Sequence, residues 1–210
     1  MKENNWFDPF YIQSHLNEEE SNIQKNVRDF CNNELKPTVV ERNRKNEFDQ
    51  GLYPKFGSLG VLGQTVKTHG GSGTSNLAYG LVAYEFEKID SSYRSSISVQ
   101  SSLVIHPINE FGSQEQKDKY LPPLIKGEKI GCFGLTESEA GSDPASMKTS
   151  FKKTKDGYIL NGSKNWITNA PIADIFIIWA IEENKDHKSI KGFIIEKNTE
   201  GLNTSTIENK

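Results

Sequence analysis

From Asn17 onward the apolar positions recur at helical spacing. Asn17-Glu18-Glu19-Glu20 places a glutamate three residues after an N-cap residue, the pattern of a capping box. Ile23, Val27, Phe30 and Leu35 follow on one face, and Pro37 predicts a break or kink. A short second helix is expected to begin near Pro54 and to close at Gly60-Val61-Leu62-Gly63. Thr68-His69-Gly70-Gly71-Ser72-Gly73-Thr74 is a loop by composition, without the preceding strand or Gly-Lys-Ser/Thr finish of a phosphate loop. Ser75 or Asn76 caps the next helix, whose apolar stripe reads Leu77, Leu81, Tyr84 and Ile89. A further helix spans 93–111, bent or divided at Pro107, and Ser113-Gln114-Glu115-Gln116 is a second capping box. The helix it opens is expected to end before Pro122-Pro123.

The texture changes after Gly127. Residues 151–154, 158–160 and 163–168 are short strand candidates, joined by the hairpin dipeptides Asp156-Gly157 and Asn161-Gly162. Residues 175–181 and 192–196 read as buried strands, and 202–207 as a further one. Helices followed by strands imply an α+β chain of two segregated domains, 1–128 and 129–210.

Composition narrows the functions. At 210 residues the chain can bury a core, and its formal net charge of -3, with scattered basic residues, gives no electrostatic reason to expect nucleic acid or an anionic membrane as partner. Cys31 and Cys132 have neither redox nor metal spacing and read as reduced, buried thiols. His15, His69, His106 and His187 form no ligand spacing, so no metal site is expected. The longest apolar run, 175–181, is too short to span a bilayer. The N-terminal stretch resembles neither a signal peptide nor a transit sequence, which points to bacterial cytoplasm, or to mitochondrial matrix in a eukaryote.

Two loops could carry chemistry. Gly134-Leu135-Thr136-Glu137-Ser138-Glu139-Ala140-Gly141-Ser142-Asp143 combines close-approach glycines with hydroxyls and amides able to donate to phosphate or ring oxygens. The same Gly141-Ser142-Asp143-Pro144 also satisfies a plain strand-ending turn. Trp166 and Thr168 lie two apart on the expected strand and so face one side, an aromatic plane beside a hydroxyl. That pair suits the edge of a flat ring, and equally an ordinary β core.

Leu-Thr-Glu-x-x-x-Gly-Ser-Asp-Pro, followed by Asn-Gly-x-Lys-x-Trp-Ile-Thr-Asn, resembles the middle-domain signature of the acyl-CoA dehydrogenases. The resemblance implies an all-helical N-terminal domain followed by an antiparallel β-barrel-like domain, incomplete here, and FAD as cofactor. It assigns Phe133, Gly134, Leu135 and Thr136 to the flavin ring, through backbone and hydroxyl groups. Gly141 and Ser142 fall to the FAD pyrophosphate, with Ser142 also beside the acyl-CoA, and Trp166, Ile167 and Thr168 flank the ring.

Asp90-Ser91-Ser92-Tyr93-Arg94-Ser95-Ser96-Ile97-Ser98, with His106-Pro107-Ile108 beyond it, is similar to the glutaryl-CoA dehydrogenases. That similarity runs from Trp6-Phe7-Asp8-Pro9 to Gly192-Phe193-Ile194-Ile195-Glu196-Lys197. It implies Arg94 as a clamp for a second substrate carboxylate, with Ser95 and Ser98 as further donors. Helical spacing, with Glu87 two turns earlier on a similar face, makes Glu87 a candidate to orient it. An exposed helix arginine is the plainer reading of the same residue.

The implied reaction is α,β-oxidation of glutaryl-CoA with loss of carbon dioxide to give crotonyl-CoA. Electrons pass to electron-transferring flavoprotein, and the full-length enzyme is expected to be a homotetramer. The family's base is a glutamate of a C-terminal helical domain beyond Lys210, so no catalytic residue is assigned, and Glu137 and Glu139 do not match it. The chain alone is therefore expected to be inactive. A dehydrogenase of other acyl specificity, one half of a split enzyme and a non-enzymatic scaffold are the alternatives.

Overall fold

The computed structural model describes residues 8–207. Trp6 and Phe7, which open the similar stretch, lie outside the described residues, as does Lys210. Helices come first. The capping box of α1 (Glu18–Phe30) forms as predicted: the Glu20 amide donates to Asn17 Oδ1 at 2.8 Å, and the Asn17 amide donates to Glu20 Oε2 at 3.2 Å. The helix widens into a π-helical turn, Cys31–Leu35, and turns at Pro37. Two short helices follow, α2 (Val39–Lys45) and α3 (Leu52–Ser58).

Ser75 caps α4 (Asn76–Glu87), accepting from the Ala78 amide, and its hydroxyl donates to Glu20 Oε1 at 2.7 Å, tying two helix N-termini together. The stripe expected on α4 is displaced: Leu77 and Tyr84 are exposed, and Ala78, Leu81, Val82, Glu85 and Phe86 are buried. The reason is Glu85, a carboxylate inside the buried face, which accepts from Gln24 and Arg28 of α1. A buried polar residue breaks the apolar pattern while remaining paired.

α5 (Ser91–Ser98) runs through a π-helical segment, Val99–Ile105, into α6 (His106–Phe111), so the division expected at Pro107 is a widened segment just before it. α7 (Gln114–Ile125) has its predicted capping box but continues through Pro122 and Pro123. Here the expectation fails because Leu121 and Leu124 are fully buried. Burying each contributes about 1.5–3 kcal/mol, and with Tyr120 and Ile125 buried on the same helix the total offsets a local cost of about 3 for each of the two prolines.

The strands are β1 (Gly131–Gly134), β2 (Ser150–Lys153), β3 (Tyr158–Asn161), β4 (Ile175–Glu182) and β5 (Lys191–Glu196). A sheet domain that does not close follows the helices, as expected; its strand directions are mixed rather than all antiparallel: β4 pairs β1 and β2 in parallel and β5 antiparallel, and β2 pairs β3 antiparallel. The β2–β3 turn closes through Thr154 N–H to Gly157 C=O at 2.8 Å, so Lys155 and Asp156 form its tip. Neither 163–168 nor 202–207 is a strand. At Asn161-Gly162 the hairpin gives way to a loop, because Lys164 and Asn165 bond to another loop rather than to a ladder partner.

One face of the sheet, with Phe133, Ile175, Ile177 and Ile194, packs into the helical core, so the two halves share one apolar cluster. The other face carries Cys132, Phe176, Ile178 and Ile195 under Ile167, Ala170 and Leu202. Burial pushes both cysteine thiols up to about 12, which suits inert core residues. Among the described residues no cluster could hold a metal, and no helix is long and apolar enough to cross a membrane.

Candidate active site

The site forms where β1 ends. Parallel pairing with β4 carries the chain out at Gly134, where a side chain would strike Ile178 at 2.5 Å and the Lys164 stem at 3.3 Å. The 162–168 loop then folds back on it. Asn165 N–H donates to Thr136 C=O at 2.9 Å, and Lys164 Nζ donates to Leu135 C=O at 3.0 Å and to Glu137 Oε1 at 2.7 Å. Glu137 also accepts from the Lys148 and Thr149 amides. Desolvation pushes its pKa up, but bonds from Lys164, Thr149 and Lys148 outweigh this and hold it at about 2. So weak a base is unsuited to proton abstraction near neutral pH, in keeping with the absence of a catalytic assignment to it. Glu139 is exposed on the same loop.

Gly162 is required at the start of the second loop. Its φ is +150°, and a Cβ there would lie 2.5–2.7 Å from Thr149 atoms, backbone included. Trp166 and Thr168 do not lie on a strand, a correction to the shared-face argument. Trp166 has φ +61°, a strained conformation for an aromatic residue, and is 66% exposed beside Ile167 at an open groove of about 1520 Å³. Gly141 and Ser142 are exposed on the first loop.

Thus Phe133, Gly134, Leu135 and Thr136 are joined to the loop bearing Trp166, Ile167 and Thr168. Among the described residues neither the Thr136 N–H nor its hydroxyl has a hydrogen-bond partner. Two donors, exposed hydroxyls, an aromatic plane and glycines that permit close approach fit a flat, polar ligand with phosphates.

Arg94, Ser95 and Ser98 sit partly exposed on α5. Arg94 Nε donates to Glu87 Oε2 at 2.6 Å, but Glu87 ends α4, so the pair spans a helix junction rather than two turns of one helix. Its two other guanidinium nitrogens have no partner among the described residues. Among the described residues no hydrogen bond or ion pair joins these three residues to the two loops. Their link is Gln100, which sequence reasoning missed: fully buried, it donates to the Leu124 and Lys129 carbonyls and accepts from Gly131 N–H at 2.8 Å. Arg94 lies six residues earlier on this helix, about 9 Å of rise. Lys164 was also missed, although it stands inside the quoted motif; a lone lysine carries no signal that its partner is a buried glutamate.

The fold and site define a two-part scaffold: a capped helical bundle and a mixed sheet whose two loops form one polar rim. Residues 17–128 match the acyl-CoA dehydrogenase N-terminal domain, and residues 132–210 match the acyl-CoA dehydrogenase middle domain. The chain belongs to the acyl-CoA dehydrogenase family. It is 39% identical over 197 residues to a short-chain-specific acyl-CoA dehydrogenase of Clostridium acetobutylicum, covering 93% of this chain and 52% of that one. The structure of a Mycobacterium smegmatis glutaryl-CoA dehydrogenase in complex with FADH2 superposes with TM-score 0.91 at 40% identity, over 96% of this chain and 51% of that one. Butyryl-CoA dehydrogenase from Megasphaera elsdenii gives 0.81 at 39%, over 89% and 50%. The chain spans about half the length of the relatives it matches.

Proposed function

We propose that this chain supplies the flavin- and acyl-binding part of an FAD-dependent acyl-CoA dehydrogenase of the glutaryl-CoA type. The observation that carries the reading is the joining of the two motif loops around Thr136, with its amide and hydroxyl left to a ligand. In this reading Phe133, Gly134, Leu135 and Thr136 meet the flavin ring, and Trp166, Ile167 and Thr168 flank it. Gly141 and Ser142 serve the pyrophosphate, Ser142 also lying beside the acyl-CoA. FAD, when bound, supplies the two-electron acceptor for the hydride leaving the acyl β-carbon. The whole protein would convert glutaryl-CoA to crotonyl-CoA and carbon dioxide, pass electrons to electron-transferring flavoprotein, and assemble as a homotetramer.

Arg94 carries the choice of substrate. Held through Nε by Glu87, it keeps two nitrogens for a carboxylate, a bidentate, charge-assisted interaction. The likeness to the Megasphaera butyryl-CoA enzyme favours a second reading, an apolar acyl tail. Binding of glutaryl-CoA and butyryl-CoA to the purified chain, measured calorimetrically, separates the two. Arg94→Ala is expected to weaken glutaryl-CoA by about tenfold or more, from loss of a charge-assisted pair of 1.5–3 kcal/mol, and to leave butyryl-CoA unchanged. Equal effects on both ligands would overturn the glutaryl reading.

A further inference from the structure

We propose that the buried Lys164–Glu137 pair is a positioning device that aims the Thr136 N–H at the ligand. The inference rests on the flavin-site reading above for the identity of that ligand, but not for the geometry. Both side chains are 7% exposed and 2.7 Å apart, one from each motif loop.

The device works through a single peptide plane. The Lys164 ammonium draws Leu135 C=O inward at 3.0 Å. In a trans peptide the carbonyl and the following N–H point in opposite directions. The Thr136 N–H is therefore turned away from the ion pair, where no described residue accepts from it. Asn165 N–H holds the far side of Thr136 through its carbonyl at 2.9 Å, fixing the next plane. Glu137 anchors the lysine, and is itself fixed by the amides of Lys148 and Thr149 at 2.6 and 3.0 Å. Every partner of the ammonium is internal, so its charge orients protein rather than ligand.

A stabilising role and a positioning role can be told apart. Replacing a buried ion pair by apolar residues of similar size is often neutral or stabilising. The double variant Lys164→Met with Glu137→Gln removes both charges but keeps an acceptor for the Lys148 and Thr149 amides, so it should fold, yet lack the group that holds Leu135 C=O inward. Lys164→Arg, which keeps charge and donors, should preserve the orientation in part.

The test is amide hydrogen exchange and 15N chemical shift at Thr136 and Asn165 in the full chain, with an FAD titration of the same samples. In the double variant both amides should shift, and the Asn165 amide, which is bonded to Thr136 C=O, should exchange at least about tenfold faster, as for a lost hydrogen bond, while the melting temperature stays near wild type. FAD affinity should fall by about tenfold for the same reason, with Lys164→Arg between the two. Unchanged Thr136 and Asn165 amides in a folded double variant would overturn the inference. Altered amides with no FAD binding even by the wild-type chain would uphold the positioning device and count against the flavin reading.

Discussion

The two halves of this molecule bury charge in different ways. In the helical half Glu85, 2% exposed, accepts from Gln24 and Arg28 and lies 3.5 Å from Lys88, several donors that bind α1 to α4. In the sheet half Glu137 meets one lysine and two amides, and what they hold is a pair of loops rather than a pair of helices. The first arrangement is redundant and structural. The second has a single cation, Lys164, where the first has two, and lies directly behind the residues proposed to meet the flavin.

Removing the cation from each site should give the largest contrast. Lys164→Met strands Glu137 and is expected to cost about 3–5 kcal/mol in urea unfolding, whereas Arg28→Met leaves Glu85 with other donors and should cost about 1–3. Equal losses would break the comparison. Gly162→Ala comes next: the +150° φ and the Thr149 clash predict about 2–3 kcal/mol, together with perturbed 163–168 amides.

Acid sharpens the contrast further. Glu137 titrates at about 2 folded, below its ordinary 4.5, so its stabilisation is complete above about 4.5 and is lost as pH falls through 2. The stability difference between wild type and Glu137→Gln should therefore be flat above pH 4.5 and shrink below it. A difference that grows on acidification would contradict the assignment. The smallest effect is at the helical caps, where Ser75→Ala should cost about 1 kcal/mol in thermal unfolding without moving the site loops.

The halves also differ in how much the sequence disclosed. Helix starts at Asn17, Ser75 and Ser113 were legible because capping is local, settled within three residues. The buried face of α4 was not, because Glu85 is apolar in position but polar in kind, and only its distant partners explain it. Asn161-Gly162 carried a hairpin signal, yet Lys164 bonds across 27 residues to Glu137, and that contact overrode the local preference. The motif residues were legible as a set through their resemblance. Their geometry, including the left-handed Trp166, came from contacts no spacing reveals.

The central claim is that the loops at 133–136 and 162–168 form one flavin site. Its most direct test is the map of amide shifts when FAD is added to the purified chain. The account predicts perturbations centred on Thr136, Ser142 and Trp166–Thr168, with Arg94 responding to glutaryl-CoA instead. Shifts elsewhere, or none at FAD concentrations that saturate a full-length relative, would contradict it.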